Sequence, residues 1–355
     1  MERTNIQTNF ENSKKKSSKK IDEKKPLLDT LAQLATTYVK PSPDVQKLNK
    51  LEQLPTNTRQ TLARRAKAKY FTQSYTKQLA MLNSPLKKSY NNTYFGCSNV
   101  LFQEGKKITS NYCNNRWCVV CNRIRTAKLI LGYKDELKKL PDLYFCTLTI
   151  PNVPANMLKK TIENMLKTFG IIIKTLNKRK KRAGDKNKLK GLRKIECTFN
   201  DVAITFHPHI HFLIEGYQNA VDFKNEWLKH YPDALPFLQN IKKADGEGTF
   251  IELFKYYTKI ITNNVMYIEA LDVIFRAMRG KRVYQPFGLK KCISEDIDAI
   301  NAQITDLEEA EKIWMWEEND WVDYTGERLT NYVPDETMNE LVNKNIKHID
   351  IKIQQ

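Results

Sequence analysis

The sequence predicts an α+β protein: an antiparallel β-sheet flanked by helices, preceded by a helical N-terminal region and a small Cys-rich module of zinc type. Three observations predict it. Two strand-like runs, 192–199 and 202–214, stand close enough to form a hairpin turning near Asn200-Asp201. Amphipathic helical patterns lie on both sides of them. Four of the seven cysteines cluster in turn-rich sequence between residues 91 and 127.

The chain divides by composition. Residues 1–26 are polar and rich in Lys and Ser, as in a disordered basic tail. Residues 27–90 read as a helical, basic N-terminal region whose Ala-rich stretch around Asn57–Tyr70 suits either phosphates or solvent. Residues 91–127 form the Cys-rich module and 128–290 the main domain. Within that domain, helices are expected at 126–140, 155–180, 218–230, 249–262 and 264–279. Buried strands are expected at 143–150 and in the hairpin, with a final strand and turn at 278–288. Residues 291–355 read as an acidic C-terminal helical extension carrying Trp314, Trp316 and Trp321.

The formal net charge is +19, unevenly spread. Residues 301–355 hold 13 acidic against 5 basic side chains, a net of −8, so the first 300 residues carry an excess of 27 (19 + 8). Such a field attracts a polyanion, most simply nucleic acid. No long apolar run suggests a membrane span, and the Lys-rich first residues lack a signal-peptide core, so a cytoplasmic protein is expected.

Three of five histidines fall in Phe206-His207-Pro208-His209-Ile210-His211-Phe212. On a strand, His207, His209 and His211 share one face while Phe206, Ile210 and Phe212 face a core. Pro208 argues for a strand start or edge. Closely spaced imidazoles on one face point to a cation site. Downstream, Glu252, Lys255, Tyr256 and Lys259 fall at i, i+3, i+4 and i+7, one stripe of a helix. A phenol flanked by ammonium groups has its phenolate favoured, and a carboxylate one turn away can accept a proton or orient water. Together these groups suit attack on a phosphodiester.

His209-Ile210-His211 resembles the HUH motif of the rolling-circle replication initiators of small plasmids, two histidines flanking a bulky apolar residue. The stripe around Tyr256 resembles that family's catalytic-tyrosine motif, and Phe145-Cys146-Thr147-Leu148-Thr149 its first, structural motif. The segment Met278-Arg279-Gly280-Lys281-Arg282-Val283-Tyr284-Gln285-Pro286-Phe287-Gly288 resembles a late stretch of it. The motifs come in the family's order over roughly residues 95–290. The resemblance implies an HUH endonuclease-like sheet and a Mg²⁺- or Mn²⁺-dependent nicking-joining endonuclease of the single-tyrosine type. Tyr256 would attack plasmid origin DNA and stay joined to the 5′ phosphate, with Lys259 beside it. His209 and His211 would be metal ligands, with Glu196 as third ligand and His207 as ligand or support. Glu252 would act at termination. Tyr257 is the adjacent challenger, but successive helical residues point about 100° apart, so it is expected to pack or stack on DNA. Host helicase and polymerase would be partners.

Cys97-x15-Cys113-x4-Cys118-x2-Cys121 can close a tetrahedral Zn²⁺ site, and reduced thiols are the alternative. The neighbouring Arg116, Trp117, Arg123 and Arg125 suit DNA contact. A basic loop holding Lys178, Arg179, Lys180, Lys181 and Arg182, together with Lys255, is expected to add phosphate contacts, which give affinity rather than sequence choice. Cys146, Cys197 and Cys292 read as core residues. Three rivals stay open: a relaxase or transposase of the same chemistry, a histidine-triad nucleotide hydrolase, and a non-catalytic zinc-dependent DNA-binding regulator.

Overall fold

A computed structural model describes residues 59–104, 107–244, 253, 260–290 and 312–351. The first long helix, α1 (Arg59–Met81), leads into a short helix α2 (Lys87–Asn91) and one π-helical turn, Asn92–Gly96. Strands β1 (Val100–Glu104) and β2 (Lys107–Ser110) precede α3 (Val119–Lys138). The main sheet is then built from β3 (Leu143–Thr149), β4 (Gly191–Asn200), β5 (Thr205–Glu215), β6 (Asn240–Lys243) and a later strand, Tyr284–Phe287. Helices α4 (Ala155–Arg182) and α5 (Tyr217–His230) are threaded between these strands. A two-residue strand β7 (Met266–Tyr267) opens into α6 (Ile268–Met278), which leads to that later strand, β8. The C-terminal part holds β9 (Lys312–Glu317), β10 (Asp320–Val322), α7 (Glu336–Asn343) and β11 (Ile346–Lys347).

The five-stranded sheet runs β6-β3-β5-β4-β8, every neighbour antiparallel. Helix α4 forms because its apolar residues repeat at three and four: Leu158, Ile162, Met165, Phe169, Ile172 and Leu176, all buried. That stripe meets the apolar face of β5. The Phe169 ring lies 5.3 Å from Phe212 and 4.6 Å from Phe223 of α5, centroid to centroid. Phe206, Ile210 and Phe212 are all 0% exposed. Burying one such aromatic contributes roughly 1.5–3 kcal/mol. The opposite face of β5 is thereby left to the histidines.

Three expectations need correction. Pro208 lies inside the central strand β5, opposite Cys197 of β4. The backbone N–H of Phe206 points to the β3 side, where it donates to the Val153 carbonyl, so position 208 points its missing N–H the same way. There the β3 ladder has already ended at Thr149. From Thr149 to Val153 is four steps and from His209 to Phe206 three, so one extra residue bulges where proline has no bond to give.

The basic segment 178–182 is not a loop but the last turns of α4. Lys and Arg are good helix formers, and cations favour the helix C-terminus. The helix stops at Gly184, whose φ of 81° permits the left-handed cap. Gly184 N–H donates to the Lys181 carbonyl and Asp185 N–H to the Lys180 carbonyl.

The Trp-bearing segment is not helical. Trp314 and Trp321 are buried at strand positions, and β9 and β10 form a hairpin turning through Glu318 and Asn319. That hairpin joins β1 and β2 in a second sheet, ordered β10-β9-β1-β2. The acidic C-terminal part and the Cys-rich segment thus share one sheet. No helix among the described residues is long and apolar enough to cross a membrane.

Candidate metal centres

Two groups of side chains among the described residues could hold a metal ion. The first is Cys97, Cys113, Cys118 and Cys121. Cys97 follows the π-helical turn, Cys113 follows β2, Cys118 caps α3, and Cys121 stands in its first turn. The Sγ atoms of Cys97 lie 3.5 Å from those of Cys118 and Cys121, and Cys113 lies 3.6 Å from Cys121. A disulfide needs about 2.05 Å. Four thiolates at ~2.3 Å from one central ion stand about 3.8 Å apart, so the spacing fits a tetrahedral site. Burial, and then the neighbouring Cys113, Cys121 and Cys97, push the Cys118 thiol up, against ionisation. A cation would supply the charge that holds thiolates there.

The cluster is held from outside. Lys69 of α1 donates to the Cys97 carbonyl and to Asn99 Oδ1, the Trp321 indole to the Ser98 carbonyl at 2.8 Å, and Trp316 N–H to the Asn99 carbonyl at 2.8 Å. Three consecutive carbonyls of the first ligand loop are therefore claimed by α1 and the C-terminal hairpin. Sequence reading missed both anchors, because they come from positions 28 residues before and more than 200 after the loop.

The second group is Glu196, His209 and His211. Glu196 of β4 sits directly opposite His209 of β5, and His211 is the next residue on that face. One carboxylate oxygen, Oε2, lies 3.1 Å from His209 Nε2 and 3.4 Å from His211 Nε2. Each ring is oriented through its other nitrogen. His209 Nδ1 is 3.1 Å from the His207 carbonyl, which can only accept, so Nδ1 carries a proton, and Nε2 is the nitrogen turned to Glu196. His211 Nδ1 bonds Thr147 Oγ1 of β3 at 3.0 Å. The second carboxylate oxygen, Oε1, takes the fully buried Lys194 ammonium, two residues earlier on the same face. Burial opposes ionisation of Glu196, but Lys194 and the hydrogen bonds from His209 and His211 hold its carboxyl well below the usual range. An ionised carboxylate with two imidazole nitrogens converging on one of its oxygens is a donor set that suits a divalent cation.

His207 stands outside this trio. Its Nδ1 bonds Asn152 Oδ1 at 2.9 Å, and its ring stacks on His209 at 5.2 Å. Burial, and then His209, lower its pKa to about 4, which keeps it neutral. Thr147, Asn152 and Lys194 are partners that the sequence reading did not single out. Period two on the Thr147 and Lys194 strands was the available signal, but the pairing register was not.

The remaining predicted residues fall in different places. Tyr256, Glu252, Lys255 and Lys259, with Tyr257, lie outside the described residues, as does most of the helix expected at 249–262. Leu253 before Tyr256 and Ile260 and Ile261 after it are buried in the main core. Cys292 also lies outside the described residues. Arg123 and Arg125 are buried: Arg123 donates to the Arg64 carbonyl at 2.6 Å, and Arg125 to the Asn114 carbonyl and side chain. They brace the Cys-rich module rather than face solvent, and Arg116 beside them is half-buried. On α4, Lys178, Lys181 and Arg182 are exposed, while Arg179 pairs with Glu226 at 2.7 Å and Lys180 with Asp185 at 2.6 Å. Cys146 and Cys197 are buried, with thiols pushed well up by burial.

An antiparallel sheet carrying a carboxylate–dihistidine group, together with a separate four-cysteine cluster, defines an α+β protein with two metal-competent centres. Comparison with known proteins says which one. Residues 105–327 match the family model Rep_1, described as Replication protein. The chain is 25% identical to a Protein rep of Streptococcus pneumoniae serotype 2 over 59% of its own length and 69% of that protein. It is 30% identical to a Protein rep of Staphylococcus aureus over 44% of its length and 73% of that protein. A Protein rep of Lactiplantibacillus plantarum is 26% identical over 61% and 74%. No solved structure matches. The chain belongs to this replication protein family, and the resemblance to rolling-circle plasmid initiators is borne out.

Proposed function

We propose that the protein initiates plasmid rolling-circle replication as a nicking-joining endonuclease, with the five-stranded sheet as an HUH-type core. The convergence of Glu196, His209 and His211 on one point of that sheet carries the reading. These three would hold Mg²⁺ or Mn²⁺, and a bound divalent cation would draw charge from the nonbridging phosphate oxygens. Thr147 and the His207 carbonyl keep the two Nε2 lone pairs directed at that point, and Lys194 leaves one oxygen of Glu196 for it. The Tyr256 phenol gives up its proton, which balances the one taken by the leaving oxygen, and its oxygen forms the new bond to phosphorus. The bond to O3′ breaks, the leaving oxygen takes a proton to become a 3′-OH, and the 5′ phosphate stays on tyrosine. Glu252 then activates water or the returning strand at termination, with Lys255 and Lys259 beside the phosphates.

The Cys97, Cys113, Cys118 and Cys121 cluster holds Zn²⁺ in this reading and keeps the N-terminal module in shape. Arg116 and the exposed cations Lys178, Lys181 and Arg182 add phosphate contacts. Origin DNA, host helicase and polymerase are the partners, in the cytoplasm.

Supercoiled host plasmid incubated with the protein and Mn²⁺ or Mg²⁺ tests it. Nicking is expected for the wild type and absent for Tyr256→Phe and His209→Ala. Retained nicking in both variants would sink the mechanism, and metal-independent DNA binding without any nicking would favour a regulator.

A further inference from the structure

A lysine is buried against the metal-competent carboxylate. Lys194 is 0% exposed, and its ammonium bonds Oε1 of Glu196, the next residue on the same face of β4. Across the sheet it stands opposite His211 of β5 on one side and Tyr284 of β8 on the other. Its ammonium lies 5.9 Å from the centroid of the Tyr284 ring, which is itself buried.

Stability alone does not call for a lysine there. Burying an ammonium costs on the order of several kcal/mol, which its attraction to a carboxylate does little more than offset. An apolar side chain of the same length would serve the sheet as well. What the ammonium does is divide the carboxylate. Lys194 takes Oε1, while Oε2 is the oxygen that faces both rings, 3.1 Å from His209 Nε2 and 3.4 Å from His211 Nε2. A cation held by the two imidazoles meets Oε2 and finds Oε1 already bonded.

Divalent cations differ in how much that matters. Mg²⁺ demands near-octahedral geometry, keeps several waters and is satisfied by single carboxylate oxygens. Mn²⁺ is held by the same kinds of oxygen donor. Ca²⁺ is larger, takes about six to eight oxygens and readily uses both oxygens of one carboxylate. A carboxylate with one oxygen to give therefore disfavours Ca²⁺ most.

We propose that Lys194 is a positioning residue that sets the cation choice of this site. By holding Oε1 it makes Glu196 a one-oxygen ligand, which favours Mg²⁺ or Mn²⁺ over Ca²⁺. The assignment rests on the reading of Glu196, His209 and His211 as the site of the nicking metal, and deepens it. It also limits the trio to three donor atoms, so the other positions of a six-coordinate ion stay open to phosphate oxygens and water.

Mn²⁺ binding to the full-length protein without DNA, read from the EPR signal of free Mn²⁺, tests the assignment. His209→Ala supplies the baseline for binding elsewhere, and Ca²⁺ or Mg²⁺ is titrated in at saturating Mn²⁺. Lys194→Met keeps the side chain's length without its charge. In this variant the Ca²⁺ concentration that displaces half the Mn²⁺ is expected to fall about tenfold, with that of Mg²⁺ within about twofold of wild type. Loss of the positive charge strengthens all three ions alike and cancels in these competitions, so the Ca²⁺ shift reports the freed oxygen.

Ca²⁺ and Mg²⁺ competing as they do in the wild type, or shifting together, overturns the proposal. If Lys194→Met loses the cooperative thermal transition, the wild type decides. Mg²⁺ displacing Mn²⁺ at lower concentration than Ca²⁺ then supports the proposal, and the reverse order overturns it. Mn²⁺ binding that is equal in the wild type and His209→Ala removes both the metal site and this inference. If the wild type nicks plasmid but the competition is indifferent to Lys194, this inference alone fails. If the Ca²⁺ shift appears but the wild type never nicks, the nicking reading alone fails.

Discussion

Four sulfurs from three separate stretches enclose the cysteine cluster, three of the four residues being buried, whereas Glu196, His209 and His211 supply three donors from two adjacent strands. Four thiolates complete the shell of a tetrahedral soft cation and leave it nothing to react with. Three N and O donors are too few for a hard divalent cation, which takes six or more, so positions remain for phosphate oxygens and water. The supports differ too. The cysteine loop is held by backbone carbonyls bonded to distant elements, while each histidine is held through its other ring nitrogen, His211 by the Thr147 hydroxyl and His209 by the His207 carbonyl, which sets the nitrogen that points inward. In the proposed reading, one arrangement serves cohesion between chain-distant segments and the other a reaction.

If that contrast holds, removing a cysteine and removing a histidine should have opposite signatures. Cys118→Ser is expected to give the largest effect: loss of one Zn²⁺ per chain by elemental analysis and loss of the cooperative thermal transition. A structural zinc contributes on the order of 10 kcal/mol in isolated peptides, comparable with a whole domain's stability. His211→Ala should leave Zn²⁺ content and melting nearly unchanged and still lower the nicking rate by more than about 100-fold, since outer partners alone are worth ~10–100-fold.

Thr147→Val is the sharper probe of the same site. It removes the hydroxyl that orients His211 and keeps the side-chain shape. The Mn²⁺ concentration for half-maximal nicking is expected to rise about 10-fold or more, with a rate recovered at saturation. An unchanged Mn²⁺ dependence would mean that the hydroxyl does not orient the ring. Last, Trp321→Phe deletes the bond to the Ser98 carbonyl and puts a smaller ring in the buried indole's place. A loss of about 1–3 kcal/mol in denaturant unfolding, from the bond and the cavity together, with Zn²⁺ retained, is the expected outcome. Loss of Zn²⁺ instead would show that the C-terminal hairpin is needed to hold the cluster.

The two centres were not equally legible in the sequence. Period two placed His207, His209 and His211 on one face, but Glu196 came from the family resemblance: a turn near Asn200-Asp201 does not pair it with His209, whereas the observed turn at 201–204 does. The ranking of the histidines did not follow from local pattern either. That His207 turns to Asn152 while His211 turns to Thr147 depends on the β3–β5 register and the bulge at Pro208, which are tertiary facts. The four cysteines were readable from spacing, but their buttress of Trp321, Trp316 and Lys69 was not. The alternation in Lys312-Ile313-Trp314-Met315-Trp316-Glu317 is a strand signal, yet the acidic composition around it suggested a helix, and only pairing with β1 resolves it. Similarly, Gly184 marked a helix end at Arg182 that the run of positive charge obscured.

The division of labour between the two centres is tested most directly by metal content and nicking measured together on one variant, Glu196→Ala combined with His209→Ala and His211→Ala. The account predicts one Zn²⁺ per chain retained, wild-type DNA binding, and no nicking at any Mg²⁺ or Mn²⁺ concentration. Nicking that survives in this variant, or Zn²⁺ lost with the histidines rather than with the cysteines, would contradict it.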